Sequence, residues 1–81
     1  MFTVYVLQSS SYSRYYTGYS ADVEKRLEEH NSGSVFSTKP YLPYKIVYTE
    51  VFETRGEAMS REKQIKRMKG GIGFKNLVQA Q

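Results

Sequence analysis

Residues 15–33 read YYTGYSADVEKRLEEHNSG, and the character of this stretch changes halfway along. Tyr15–Tyr19 is aromatic and β-prone, which predicts a strand. Gly18 within it implies a bulge or a close approach of another group to the backbone. Ser20 suits an N-cap and Asp22 a first helical turn. A helix is therefore expected from about Ala21 to His30 or Asn31, with Gly33 able to end it. At about 100° per residue, Val23 and Leu27 form its apolar stripe. Arg26 and His30, one turn apart, fall on one edge of that stripe, while Glu24 and Glu28 face water.

Working outward, Phe2–Gln8 predicts an earlier strand, with Phe2, Val4 and Val6 on one face and Thr3, Tyr5 and Leu7 on the other. The polar loop Ser9–Arg14 returns the chain as an antiparallel hairpin. On the other side, Ser32–Pro43 is a long connection carrying two prolines, with Phe36 as a candidate anchor. Its length implies either a functional loop or a hidden short helix. Tyr44–Phe52 predicts a third strand, with Ile46, Tyr48 and Glu50 alternating against Val47, Thr49 and Val51. Thr54-Arg-Gly-Glu57 is a capping box, opening a helix to about Lys69. Gly70, Gly71 and Gly73 break it, and Phe74–Ala80 predicts a last short helix that packs Leu77 and Val78.

Eighty-one residues imply one domain, 1–81, with a core small enough that any site lies at its edge. The absence of cysteine excludes disulfides and thiolate metal sites and predicts an intracellular, cytoplasmic protein. No apolar run approaches the roughly 18 residues of a membrane span. MFTVYVLQ is too short and too uncharged at its start for a signal peptide. The net charge of +4 is unevenly spread: residues 60–81 hold six basic residues against Glu62 alone, net +5, leaving −1 for the rest. Such a basic third suits a polyanion, nucleic acid first, or else is a solubilising helix surface. Eight tyrosines suit half-buried strand faces and base stacking alike.

The chemistry-bearing residues are few. Glu62 falls inside an apolar arc between Met59 on one side and Ala58 and Ile65 on the other. A carboxylate there needs a partner, either a salt bridge to Lys66 or Lys69 or a hard cation such as Mg²⁺. Arg26 is either a surface partner of Asp22 or Glu29 or a planar clamp for phosphate oxygens. His30 is either a helix-end residue favoured by the dipole or a proton carrier near neutral pH. Tyr5 and Tyr16, on neighbouring strands, are core aromatics or groups that position or deprotonate a water. An unperturbed tyrosine, with a pKa of about 10, is only about 0.1% ionised at pH 7. A base role therefore needs nearby positive charge. Together these residues suit phosphodiester hydrolysis. No Walker loop, dinucleotide fingerprint or HExxH occurs, and a single histidine excludes a multi-histidine metal site. Gly70-Gly-Ile-Gly73 has the form of a KH-domain GxxG loop, but the flanking elements are in the wrong order.

These residues carry a resemblance. Thr3-Val-Tyr5 and Tyr16-Thr-Gly18 stand where the GIY-YIG nuclease superfamily has Gly-Ile-Tyr and Tyr-Ile-Gly. Both tyrosines and the second glycine are kept; the first glycine and both isoleucines are not. Arg26, His30, Asn31 and Gly33 match the family's helix, and the run EAMSREKQIK resembles its next helix and places Glu62. The chain is similar to the superfamily's small stand-alone bacterial members and to the N-terminal domain of an excision-repair incision subunit, over about residues 2–78. The resemblance implies an α+β fold, a central three-stranded antiparallel sheet flanked by helices. It also implies metal-dependent DNA hydrolysis through one Mg²⁺ or Mn²⁺ held by Glu62, and a part in DNA repair. Tyr5, Tyr16, Arg26, His30 and Glu62 would be catalytic, with Gly18 and Asn76 supporting the site. Lys39, Lys63, Lys66, Arg67 and Lys69 would track the backbone of single-stranded, duplex or branched DNA, and specificity would come either from a protein partner or from a branched or single-stranded substrate. The alternative is a nucleic-acid-binding module with the same fold and little turnover.

Overall fold

The computed structural model describes residues 1–33, 35, 39–68 and 71–79. Its central strand is β1, Phe2–Ser9, paired antiparallel with β2, Tyr15–Ser20, on one side and β3, Tyr44–Phe52, on the other. The sheet order is therefore β2-β1-β3. β1 is apolar on both faces because both faces are covered. Val4 and Val6 pack with Ala58, Ile65 and Phe74, which come from α2, Arg55–Arg67, and α3, Ile72–Gln79. Tyr5 and Leu7 pack on the opposite face with Tyr44 and with Val23 and Leu27 of α1, Val23–Asn31. This is the expected α+β arrangement, a three-stranded antiparallel sheet between helices. No helix of the described residues is long and apolar enough to cross a membrane.

The details depart from the expected pattern in four places. Asp22, not Ser20, caps α1: its carboxylate accepts the Lys25 N–H at 3.1 Å, and the helix begins at Val23. The Ser20 hydroxyl instead accepts the Asp22 N–H at 3.0 Å, so it shapes the turn before the helix. Second, β3 does not alternate evenly. Val6 faces Tyr48 and Leu7 faces Ile46, leaving Val47 as an extra residue in a bulge. The inserted residue breaks the period of two, so Ile46 joins the Leu7 cluster and Tyr48 the Val6 cluster. Third, α2 ends at Arg67; Lys69 and Gly70 lie outside the described residues, as does Phe36. Fourth, α3 opens at Ile72 rather than Phe74, so Gly73 stands in its first turn.

Other local readings match the structure. Gly33 takes a φ of 83°, and its N–H bonds the His30 carbonyl at 3.1 Å beyond the end of α1. The long connection contains a short 3₁₀ turn, Lys39–Tyr41. Both arms of the capping box form: the Glu57 N–H donates to Thr54 Oγ1 and the Thr54 N–H to Glu57 Oε1, each at 3.2 Å.

Candidate active site

On the α1 face, β1, β2 and α1 bring four of the chemistry-bearing side chains together. The Tyr5 and Tyr16 rings lie 6.3 Å apart, stacked at 27°. The His30 ring is 4.6 Å from that of Tyr16 and 6.3 Å from that of Tyr5. His30 Nε2 stands 3.5 Å from the Tyr5 hydroxyl. The Arg26 guanidinium acts electrostatically on the Tyr5 hydroxyl and forms an ion pair with Glu29 at 3.4 Å.

His30 is fully buried rather than on the edge of the helix. The reason lies in its neighbour. Asn31 Nδ2 donates to the Tyr44 carbonyl at 3.1 Å, and the Tyr44 N–H donates to Asn31 Oδ1 at 2.7 Å. These two hydrogen bonds draw the last turn of α1 onto β3 and press His30 between Tyr16 and Tyr44, whose ring is 6.4 Å away. Arg26, a turn earlier, keeps 36% of its side chain exposed. Burial first, and the Arg26 charge second, lower the His30 pKa. The imidazole is thus neutral at pH 7, not the dipole-stabilised cation that its helix-end position suggested. Burial raises the Tyr5 pKa against the opposing pull of Arg26, so Tyr5 is protonated at pH 7.

Gly18 explains how two aromatic rings fit beside β2. It pairs with Tyr5 in a regular β1–β2 ladder, so no bulge occurs there. A Cβ at Gly18 would lie 2.8 Å from the Tyr5 hydroxyl oxygen and 3.1 Å from Tyr16 Cε1. Only a residue without a side chain lets the two rings close over the strand.

Glu62 approaches from α2. Its charge acts on the Tyr5 hydroxyl, and its side chain is 18% exposed. Lys66 Nζ lies 3.4 Å from Glu62 Oε1, the salt bridge that their i, i+4 spacing allows. Among the described residues no three His, Cys, Asp or Glu cluster as metal ligands. Lys63, Lys66 and Arg67 are exposed on α2 and Lys39 on the 3₁₀ turn; Lys69 lies outside the described residues. Asn76 is exposed on α3, which packs on the opposite face of the sheet from α1. The asparagine that braces the site is Asn31. Tyr44, its partner, was missed as a site residue, although a tyrosine opening a strand directly after Pro43 was the available signal.

The family model described as the GIY-YIG catalytic domain matches residues 1–73, and the chain belongs to this family. The chain is similar to curated proteins named UPF0213. One from Haloquadratum walsbyi is 45% identical over 64 residues, covering 78% of this chain and 71% of its own. Another, from Halobacterium salinarum, is 42% identical over 69 residues, covering 84% and 88%. The solution NMR structure of the UPF0213 protein BH0048 from Bacillus halodurans is 31% identical, covers 91% of this chain and 92% of that one, and has a TM-score of 0.49.

Proposed function

We propose that the protein is a metal-dependent nuclease that hydrolyses DNA phosphodiester bonds with one divalent cation, Mg²⁺ or Mn²⁺. The observation that carries this reading is the meeting of Arg26, Tyr16 and His30 around the Tyr5 hydroxyl, within reach of the Glu62 charge. Membership of a catalytic-domain family supports turnover. Arg26, part-exposed at the edge of the cluster, grips the phosphate and offsets charge that grows in the transition state. Of the three candidate bases, Tyr5 and His30 are 1% and 0% exposed, whereas Tyr16 is only half-buried. Tyr16 therefore meets the attacking water and orients it, and Tyr5 and neutral His30 hold its ring in place.

Glu62 fits a hard cation as a single carboxylate on a basic, part-exposed helix face, the rest of the shell being phosphate and water. Such an ion, when bound, polarises the phosphate as a Lewis acid. One observation favours the second reading, a binding module without turnover: Lys66 itself gives Glu62 a positive partner.

Labelled single-stranded, duplex and branched DNA, incubated with the protein in Mg²⁺, Mn²⁺ or EDTA, distinguishes the two. Cleavage is expected with either metal and not in EDTA. Glu62→Gln should abolish cleavage and keep or strengthen binding, because it removes a negative charge from a basic face. Wild-type cleavage by that variant would remove Glu62 from the mechanism. Binding without cleavage under every condition would select the module.

A further inference from the structure

The β1–β2 hairpin loop carries an aromatic and basic cluster that the cleavage site does not use. Arg14 Nη2 donates to the Tyr41 hydroxyl at 2.7 Å, and the guanidinium carbon lies 4.4 Å from the centre of the Tyr41 ring. Tyr12 stands edge-on to the same ring, with centroids 5.5 Å apart, and is 56% exposed. Ser9 ties the two segments together: its Oγ donates to the Tyr41 carbonyl at 2.6 Å and accepts the Tyr12 N–H at 3.1 Å. The arrangement is thus held in place by the fold before any ligand arrives.

Its charge has one sign. No Asp or Glu occurs in residues 1–21 or 30–49, while Arg14, Lys39 and Lys45 are exposed. Lys45 sits at the hairpin end of the sheet, since Gln8 pairs with Tyr15 on one side and Lys45 on the other. The cluster is also continuous with the candidate site. The Arg14 and Tyr41 groups act electrostatically on Tyr44, whose ring is 6.4 Å from that of His30.

We infer that Tyr12 and Arg14, backed by Tyr41, form a stacking platform for an unpaired base of a nucleic-acid strand, with Lys39 and Lys45 taking its phosphates. An exposed tyrosine and a guanidinium held over a ring both offer planar surfaces that match a base face. In a duplex those base faces are already covered by neighbouring bases, so the platform selects strands with unpaired nucleotides. The inference rests on the nuclease reading and names its substrate class.

The test is binding in EDTA of a short labelled single strand and of a blunt duplex of the same sequence. Tyr12→Ala should weaken single-strand binding roughly 5- to 150-fold, the range for losing one base–aromatic stack, and leave duplex binding unchanged. Tyr12→Phe keeps the ring and should restore single-strand affinity. Arg14→Lys keeps the charge but loses the plane, so it too should weaken the single strand alone; it carries the test if Tyr12→Ala lowers the melting temperature. Equal losses on both nucleic acids, or no loss on either, would overturn the platform while leaving the nuclease reading standing. Failure of the wild type to bind or cut any nucleic acid would overturn both.

Discussion

At the scale of single residues, the Tyr5 hydroxyl is the point on which the site converges, and its neighbours are separable by substitution. Tyr16→Phe removes one hydroxyl and keeps the ring. Under the nuclease reading, single-turnover cleavage should fall roughly 10²–10⁴-fold, the usual cost of losing an acid–base or positioning group, with little change in melting temperature. Cleavage at the wild-type rate would exclude Tyr16 and leave Tyr5 and His30 as candidates. Gly18→Ala tests packing directly, because its Cβ would sit 2.8 Å from the Tyr5 oxygen. Thermal unfolding should show about 1–3 kcal/mol of destabilisation, typical of overpacking, and cleavage should fall with it. His30 gives a pH dependence whose sign follows from burial. Its folded pKa is lowered by desolvation and by Arg26, so the unfolded chain takes up the proton first as pH falls. The contribution is fully present above about pH 6.5 and is lost below it, at up to about 1.4 kcal/mol per pH unit, until the folded pKa is reached. Urea unfolding between about pH 8 and pH 5 should show this slope in the wild type and not in His30→Gln. A slope shared by both proteins would assign it to other groups. Glu62 stood out as a carboxylate inside an apolar arc, whereas Tyr5 and Arg26 were singled out by the resemblance of their motifs. The burial of His30 was not legible, because a helical wheel carries no information about which end of a helix is pressed onto a sheet.

At the scale of elements, Asn31 supplies the two hydrogen bonds that join the end of α1 to Tyr44 at the start of β3, beside the packing of Val23 and Leu27 against the Tyr44 cluster. Asn31→Ala would leave the Tyr44 N–H and carbonyl without their partners, so stability should drop by about 1–3 kcal/mol. The same change should loosen His30, detectable by NMR as a His30 pKa closer to its ordinary value. A His30 titration identical to the wild type would show that Asn31 does not position the helix end. On α2, Lys63 and Arg67 are exposed, whereas Lys66 is drawn to Glu62. Under the nuclease reading, Lys63→Ala and Arg67→Ala each remove one phosphate contact, so each should lower the salt slope of binding by about 0.7–0.9. Lys66→Ala should change it less, since that charge is already shared with a carboxylate. An unchanged slope in all three would move the backbone-tracking surface to another face. Element types and order could be read from period and capping, and the capping box at Thr54 marked the start of α2 to the residue. The bulge at Val47 could not, because nothing in VYTEV distinguishes an evenly alternating strand from one with an inserted residue.

At the scale of the whole molecule, the sheet separates two packed faces that serve different ends. The face under α2 and α3 is aliphatic and aromatic core around Val4 and Val6, and the face under α1 contains the tyrosine and histidine cluster. Positive charge borders both, with α2 on one side and the hairpin end on the other, so DNA affinity should fall steeply with salt even for variants that abolish cleavage. Measuring Glu62→Gln affinity across a salt series checks this; a flat response would mean that binding is not carried by phosphate. From residue order alone came the three strands, the three helices and the residue types available for chemistry. Those follow from periodicity, capping and composition, which are local. What only the tertiary structure decided is which of these residues meet: Tyr5 with His30 across 25 positions, Arg14 with Tyr41 across 27, and Asn31 with Tyr44 across 13. Such meetings depend on strand register, on a bulge and on the depth at which one helix end is buried. They arise from many weak interactions acting together across the sheet, and no short window of sequence contains them.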